Sequence, residues 1–207
     1  MVKFIKLLIL CSTFFLYCCK KNETDTVQLL NSSKKTRNGL QKRNPRNIET
    51  VITLTDDEKR KFNSLKNAFN KVLLAPQYQL NKNRLNKCLN FLNWLYGKIP
   101  EQKEIANAFT IAYKFLDDKR KLKASNKDFD IYISDAINYQ VNKIENSQGD
   151  DSGKYGYDGI NTIYIFFKST LEHISNEHSN ETMLEHLKKD LSYYGSGNLF
   201  QLLQWKN

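Results

Sequence analysis

The sequence predicts an all-α fold, a compact bundle of about five to six helices preceded by a disordered tether. Three observations carry that prediction. Apolar residues recur every three or four positions from residue 55 onward, the spacing that lines one face of a helix. Helix start and stop signals punctuate those stripes. Gly and Pro are scarce, at 8 and 3 in 207 residues, so few positions force a helix to break.

Thr55-Asp56-Asp57-Glu58 reads as a capping box, in which the Thr55 hydroxyl accepts from the backbone N–H three residues on while Glu58 reaches back. Phe62, Leu65, Phe69, Val72 and Leu73 follow at helical spacing, and Pro76 ends this first helix. A second helix, near Asn81 to Tyr96, buries Leu85, Cys88, Leu89, Leu92 and Leu95 and stops at Gly97. Pro100 suits the first turn of a third, where its missing N–H is no loss. That helix carries Ile105, Ala108, Phe109, Ala112, Phe115 and Leu116 before an exposed basic end, Lys119 to Lys123, which complements the helix dipole.

Ser125 to Asp128 offers a further cap, after which Phe129, Tyr132, Ile133, Ala136, Ile137, Val141 and Ile144 form a fourth stripe. Ser147 to Gly159 is a polar, glycine-rich loop. Ile160, Ile163, Phe166, Phe167, Thr170, Leu171 and Ile174 make a fifth helix. The run Ile160 to Phe167 is β-branched and aromatic enough to be a buried strand, but its spacing continues to Ile174 and favours helix. Met183, Leu184, Leu187 and Leu191 form a sixth after Asn180, and Gly195-Ser196-Gly197 sets off a C-terminal apolar patch of Leu199, Phe200, Leu202, Leu203 and Trp205. So many apolar stripes exceed what one layer can cover, and a bundle is the natural solution.

Ahead of residue 51 the chain changes character. Lys3 and Lys6 precede an apolar run from Leu7 to Tyr17, long enough for a signal-peptide core and too short for a spanning helix, which needs about 20 residues. The stretch Leu16-Tyr17-Cys18-Cys19 resembles the lipobox of bacterial lipoproteins, with a branched aliphatic residue three places before the cysteine and a small one directly before it. Cys19 is therefore the expected lipidation site. Cys18 would put Phe15 and bulky Tyr17 in those places, and Cys11 leaves only four apolar residues after Lys6. A plain secretory signal is the competing reading. The expected organisation is a signal peptide over 1–18, a lipidated cysteine and flexible basic tether over 19–50, and a helical domain over 51–207. A lipoprotein cysteine carries three acyl chains; at about 0.8 kcal/mol per buried CH₂ such an anchor is effectively permanent, whereas one chain holds only marginally.

The net charge of +10 is unevenly placed. Residues 20–50 hold eight Lys/Arg against three Asp/Glu, while 51–207 hold 22 against 19. The basic character thus belongs to the tether and signal, which argues against specific nucleic-acid binding, since that requires Lys/Arg gathered on one face of the fold. The tether suits anionic headgroups or an acidic polymer. With Cys11 and Cys18 removed and Cys19 acylated, Cys88 is the one remaining thiol, so no internal disulfide can form. Its place in the Leu85, Cys88, Leu89, Leu92 register reads as a buried small hydrophobe in preference to a reactive or dimer-forming thiol.

Four segments in order carry a resemblance: Leu54-Thr55-Asp56-Asp57-Glu58-Lys59-Arg60-Lys61-Phe62-Asn63-Ser64-Leu65, Phe91-Leu92-Asn93-Trp94-Leu95, Gln102-Lys103-Glu104-Ile105-Ala106-Asn107-Ala108-Phe109, and Tyr113-Lys114-Phe115-Leu116-Asp117-Asp118-Lys119-Arg120. Together they resemble the Mlp lipoproteins of Borrelia spirochaetes, from about Ile52 to the C-terminus. The motifs are helix-face patterns and not chemical fingerprints. The resemblance implies an outer-membrane, surface-exposed lipoprotein, antigenic in infected hosts and participating in pathogenesis, with no settled biochemical activity.

Chemistry is sparse. His173, His178 and His186 lie among Glu172, Glu177, Glu181 and Glu185, which invites a metal reading, but no His-Glu-x-x-His motif is present and the first two histidines point in different directions on a helix. A cluster of solvated polar residues is the favoured reading. Asp150-Asp151-Ser152-Gly153-Lys154 has the flavour of a calcium loop, yet Lys154 stands where an oxygen ligand belongs and the closing glutamate is missing. No phosphate-binding loop, nucleophile elbow or paired buried carboxylate stands out, so no catalytic residue, metal or cofactor is expected. Tyr193, Tyr194 and Trp205 form a candidate interaction patch, because Tyr and Trp are enriched at interfaces. The expected role is a tethered binding module, facing a host protein or acidic polymer; the alternative is a periplasm-facing structural lipoprotein with no host ligand. Oligomeric state is open.

Overall fold

A computed structural model describes residues 52–75, 81–146, 152–195 and 197–206, all within the unit Glu49–Asn207. The signal peptide, Cys19 and the tether lie outside the described residues, as do Pro76 and the two aspartates of the calcium-like loop. Nine helices appear among the described residues: α1 (Asp56–Leu73), α2 (Lys82–Tyr96), α3 (Ile99–Ala108), α4 (Thr110–Lys123), α5 (Phe129–Asn146), α6 (Ser152–Tyr155), α7 (Thr162–Ile174), α8 (Asn180–Ser192) and α9 (Asn198–Leu203). The fold is all-α, as the periodicity requires; the strand alternative for 160–167 gives way to α7.

Local chemistry sets the helix starts. At α1 both halves of the capping box form: Glu58 N–H donates to Thr55 Oγ1 at 3.2 Å, and Thr55 N–H donates to Glu58 Oε2 at 2.8 Å. Asn81 caps α2 by accepting from Arg84 N–H at 2.9 Å, and Asn161 caps α7 by accepting from Tyr164 N–H at 2.9 Å. Ser179 and Thr182 form a second capping box at α8.

Helix α7 sits among α1, α5, α8 and α9, while α1 also packs on α3 and α5, and α8 on α3 and α4. This position explains why α7 is apolar nearly all round: Ile163, Tyr164, Phe166, Phe167, Leu171 and Ile174 are all buried. Phe167 is the hub. Phe69 of α1 meets it edge-on at 6.0 Å and Phe109 at 6.2 Å between ring centroids, geometries each worth about 0.5–1.5 kcal/mol beyond the area they bury.

Four features depart from the sequence reading. The predicted third helix is two, because the chain bends at Phe109, whose ψ of −9° falls short of the helical value. Thr110 Oγ1 donates back to Ala106 O at 3.2 Å, a pairing that bends helices. The polar loop holds the single turn α6, and a tight turn at Asp158-Gly159, both with positive φ, leaves Ile160 exposed ahead of α7. Lys119 is not part of an exposed basic end: it is 5% exposed, with its ammonium 5.2 Å from the Phe115 ring and 4.8 Å from that of Trp205. Finally, the C-terminal patch is helix α9, which lays Leu199 and Leu202 against α7 and α8.

Candidate functional site

Trp205 follows α9 into the core, 2% exposed and edge-on to Phe115 at 6.3 Å. The predicted patch is thereby divided. Tyr193 and Tyr194, 51% and 55% exposed, remain at the surface, but Trp205 is a packing residue because an indole beside an ammonium and a phenyl ring loses more by facing water than by staying buried. Tyr193 leans over Gly195, where an added Cβ would fall 2.6 Å from its hydroxyl.

Cys88 is fully buried against α7, its Sγ 3.8 Å from Leu171 O. Burial pushes its thiol up to about 11, so it behaves as the small hydrophobe its register indicated.

A shallow cleft of about 330 Å³ opens between α1 and α5, lined by Ser64, Asn67, Ala68, Lys71, Asp130 and Ile131 among others. A second, of about 580 Å³, shares Ser64, Asp130 and Ile131 and extends to Tyr113 and Arg120. Several groups on and beside these clefts are paired: Arg120 pairs with Asp117 at 2.8 Å and donates to Lys127 O, Lys127 pairs with Asp135, and Asn67 donates to Asp130 at 3.3 Å. Tyr113 stacks on Phe129 at 4.1 Å. This surface offers paired polar groups and a stacked aromatic pair for contact.

The histidines are arranged otherwise than their spacing suggested. His173 on α7 and His186 on α8 face each other with ring centroids 5.4 Å apart. His173 Nδ1 lies 2.8 and 3.0 Å from the two oxygens of Asp190 on α8. His186 Nδ1, out of reach of solvent, lies 2.8 Å from Glu177 Oε1, just past α7, without the alignment of a hydrogen bond. The carboxylate beside His173 comes from α8 and the one beside His186 from the α7–α8 connection. Asp190 is buried, and Asn198 of α9 donates to it at 3.3 Å and to Thr170 at 3.2 Å. Burial pushes the Asp190 carboxyl up, against the pull of His173. The neighbouring acids are paired: Glu172 with Lys168, Glu185 with Lys188, and Lys188 also with Glu104 of α3. His178 is exposed on the α7–α8 connection. No three or more His, Cys, Asp or Glu among the described residues converge to hold a metal ion. Sequence reasoning passed over Asp190, although its signal was present: a carboxylate one position from Leu191, on the stripe of Met183 and Leu187, must find a partner to be buried.

No helix among the described residues is long and apolar enough to cross a membrane. The profile of the Mlp lipoprotein family matches residues 28–187, which places this helical domain in a class of bacterial lipoproteins. Lipoprotein MlpJ of Borreliella burgdorferi is 36% identical over 197 residues, covering 92% of each chain. Lipoprotein MlpB of the same organism is 37% identical over 143 residues, 66% of this chain and 67% of the relative. The chain belongs to the Mlp lipoprotein family. No solved structure matches it.

Proposed function

We propose that the protein is an outer-membrane, surface-exposed lipoprotein, held by acyl chains on Cys19, whose helical domain binds host macromolecules or engages host immunity and so takes part in pathogenesis. The reading rests on family membership across residues 28–187, joined to the lipobox-like stretch Leu16-Tyr17-Cys18-Cys19. It is a binding role and not an enzymatic one, supported by a surface whose polar groups pair with each other around a shallow cleft. Exposed Tyr193 and Tyr194 offer aromatic contacts to a protein partner, and the basic segment 20–50 suits an acidic polymer or anionic headgroups.

Proteinase K treatment of intact cells tests this reading. The domain should be clipped away while a periplasmic control survives, and Cys19→Ala should release the protein from the membrane fraction. Persistence of the domain until the outer membrane is broken would replace the host-facing role with a periplasm-facing structural one.

A further inference from the structure

We infer that His173 and His186 form a binding site for one divalent transition-metal ion of the nitrogen-preferring kind, with Zn²⁺ as its simplest probe. Each ring has Nδ1 2.8 Å from a carboxylate oxygen, hydrogen-bonded to Asp190 at His173 and set beside Glu177 without hydrogen-bond alignment at His186. Their side chains are nonetheless 50% and 41% exposed, and since Nδ1 of His186 is itself buried, solvent reaches that ring away from this nitrogen. A ring that donates Nδ1–H to a carboxylate presents Nε2 as a lone pair, and metal-binding histidines are oriented in this way by a carboxylate on the far nitrogen.

The spacing fits. Two imidazoles held about 2.0–2.1 Å from one tetrahedral ion have ring centroids roughly 5 Å apart, and here the separation is 5.4 Å. The two ligands come from different helices, with Asp190 of α8 beside His173 and Glu177 of the α7–α8 connection beside His186. Rotating His173 away would strip Asp190, which is buried and held by Asn198, and rotating His186 away would part it from Glu177. The pair is therefore already positioned before an ion arrives. Of the cations nearby, Lys168 pairs with Glu172, Lys188 with Glu104 and Glu185, and Lys87 donates to the carbonyls of Ser175 and Glu177. Only two protein ligands are supplied, which leaves the remaining positions to water and makes the ion exchangeable. Imidazole nitrogen favours Zn²⁺, Cu²⁺ or Ni²⁺ over Ca²⁺ and Mg²⁺.

Titration of the untagged full chain in detergent with Zn²⁺ alone should show one ion bound per chain, reversed by chelator. His173→Ala and His186→Ala should each weaken it by at least about 10-fold, and Asp190→Asn by about 10–100-fold, as loss of an orienting carboxylate does. His178→Ala should leave it unchanged. Should a variant lose its helical circular-dichroism signal, the Cu²⁺ electron paramagnetic resonance spectrum of the unaltered chain decides instead, with coupling to two imidazole nitrogens expected. Absence of saturable binding, coupling to a single nitrogen, or His178→Ala weakening binding as much as His173→Ala overturns the inference.

Discussion

Cys88 and Lys119 show how a side chain's surroundings decide its chemistry. The thiol is enclosed by α2 and α7, and with its proton held to about 11 only on the order of a thousandth of it is thiolate at pH 8. Iodoacetamide at that pH should leave Cys88 unmodified in the native chain and label it once denaturant is added, as read by mass spectrometry. Labelling at equal rates in both states would mean that α2 opens readily. Lys119 carries the opposite lesson. Desolvation holds its ammonium below the ordinary lysine value, yet the faces of Phe115 and Trp205 supply cation–π attraction in place of water.

At the scale of the element, the α1 capping box has a defined pH signature. The backbone N–H of Thr55 holds the Glu58 carboxyl below its ordinary 4.5. A carboxylate with a depressed folded-state pKa stabilises the fold above the unfolded value and loses that contribution as pH falls from about 4.5 through the lower folded value. Thr55→Ala should cost about 1 kcal/mol in urea unfolding at neutral pH. The stability difference between the parent and Glu58→Gln should shrink as the pH is taken below that window; a constant difference would mean that Glu58 acts by packing alone. The bend at Phe109 belongs to this scale too. Its apolar stripe continues unbroken from Ile105 to Leu116, so periodicity alone shows one helix, and the turn arises from a hydroxyl, Thr110 Oγ1, bonding back to Ala106.

Across the whole molecule, α9 and the residues after it close the bundle. Leu199 and Leu202 are fully buried, and burying a Leu is worth about 1.5–3 kcal/mol. Trp205 covers Phe115 and Lys119 together, so Trp205→Ala should destabilise the domain by about 3–5 kcal/mol in urea unfolding. A cost below about 1 kcal/mol, typical of a surface substitution, would return the residue to a surface patch with Tyr193 and Tyr194. Helix α7 makes the same point from the interior: it is enclosed by α1, α5, α8 and α9, which is why a segment rich in β-branched and aromatic residues can be helical, since tertiary burial outweighs propensity.

The amino-acid sequence by itself determined the all-α class, the cap at Thr55, the buried register of Cys88 and the family, because each depends on residues within a few positions of one another or on their order along the chain. The reach of the C-terminus was not legible, since Trp205 meets Phe115 across some ninety intervening residues and nothing local separates a core indole from a surface one. The same holds for the histidines. Spacing along one helix sends His173 and His178 apart, and only the packing of α7 on α8 sets His173 against His186 and places a carboxylate beside each, Asp190 from α8 and Glu177 from the connection. Local order fixes which face of a helix is apolar; which polar groups meet across two such faces is decided by how the helices pack.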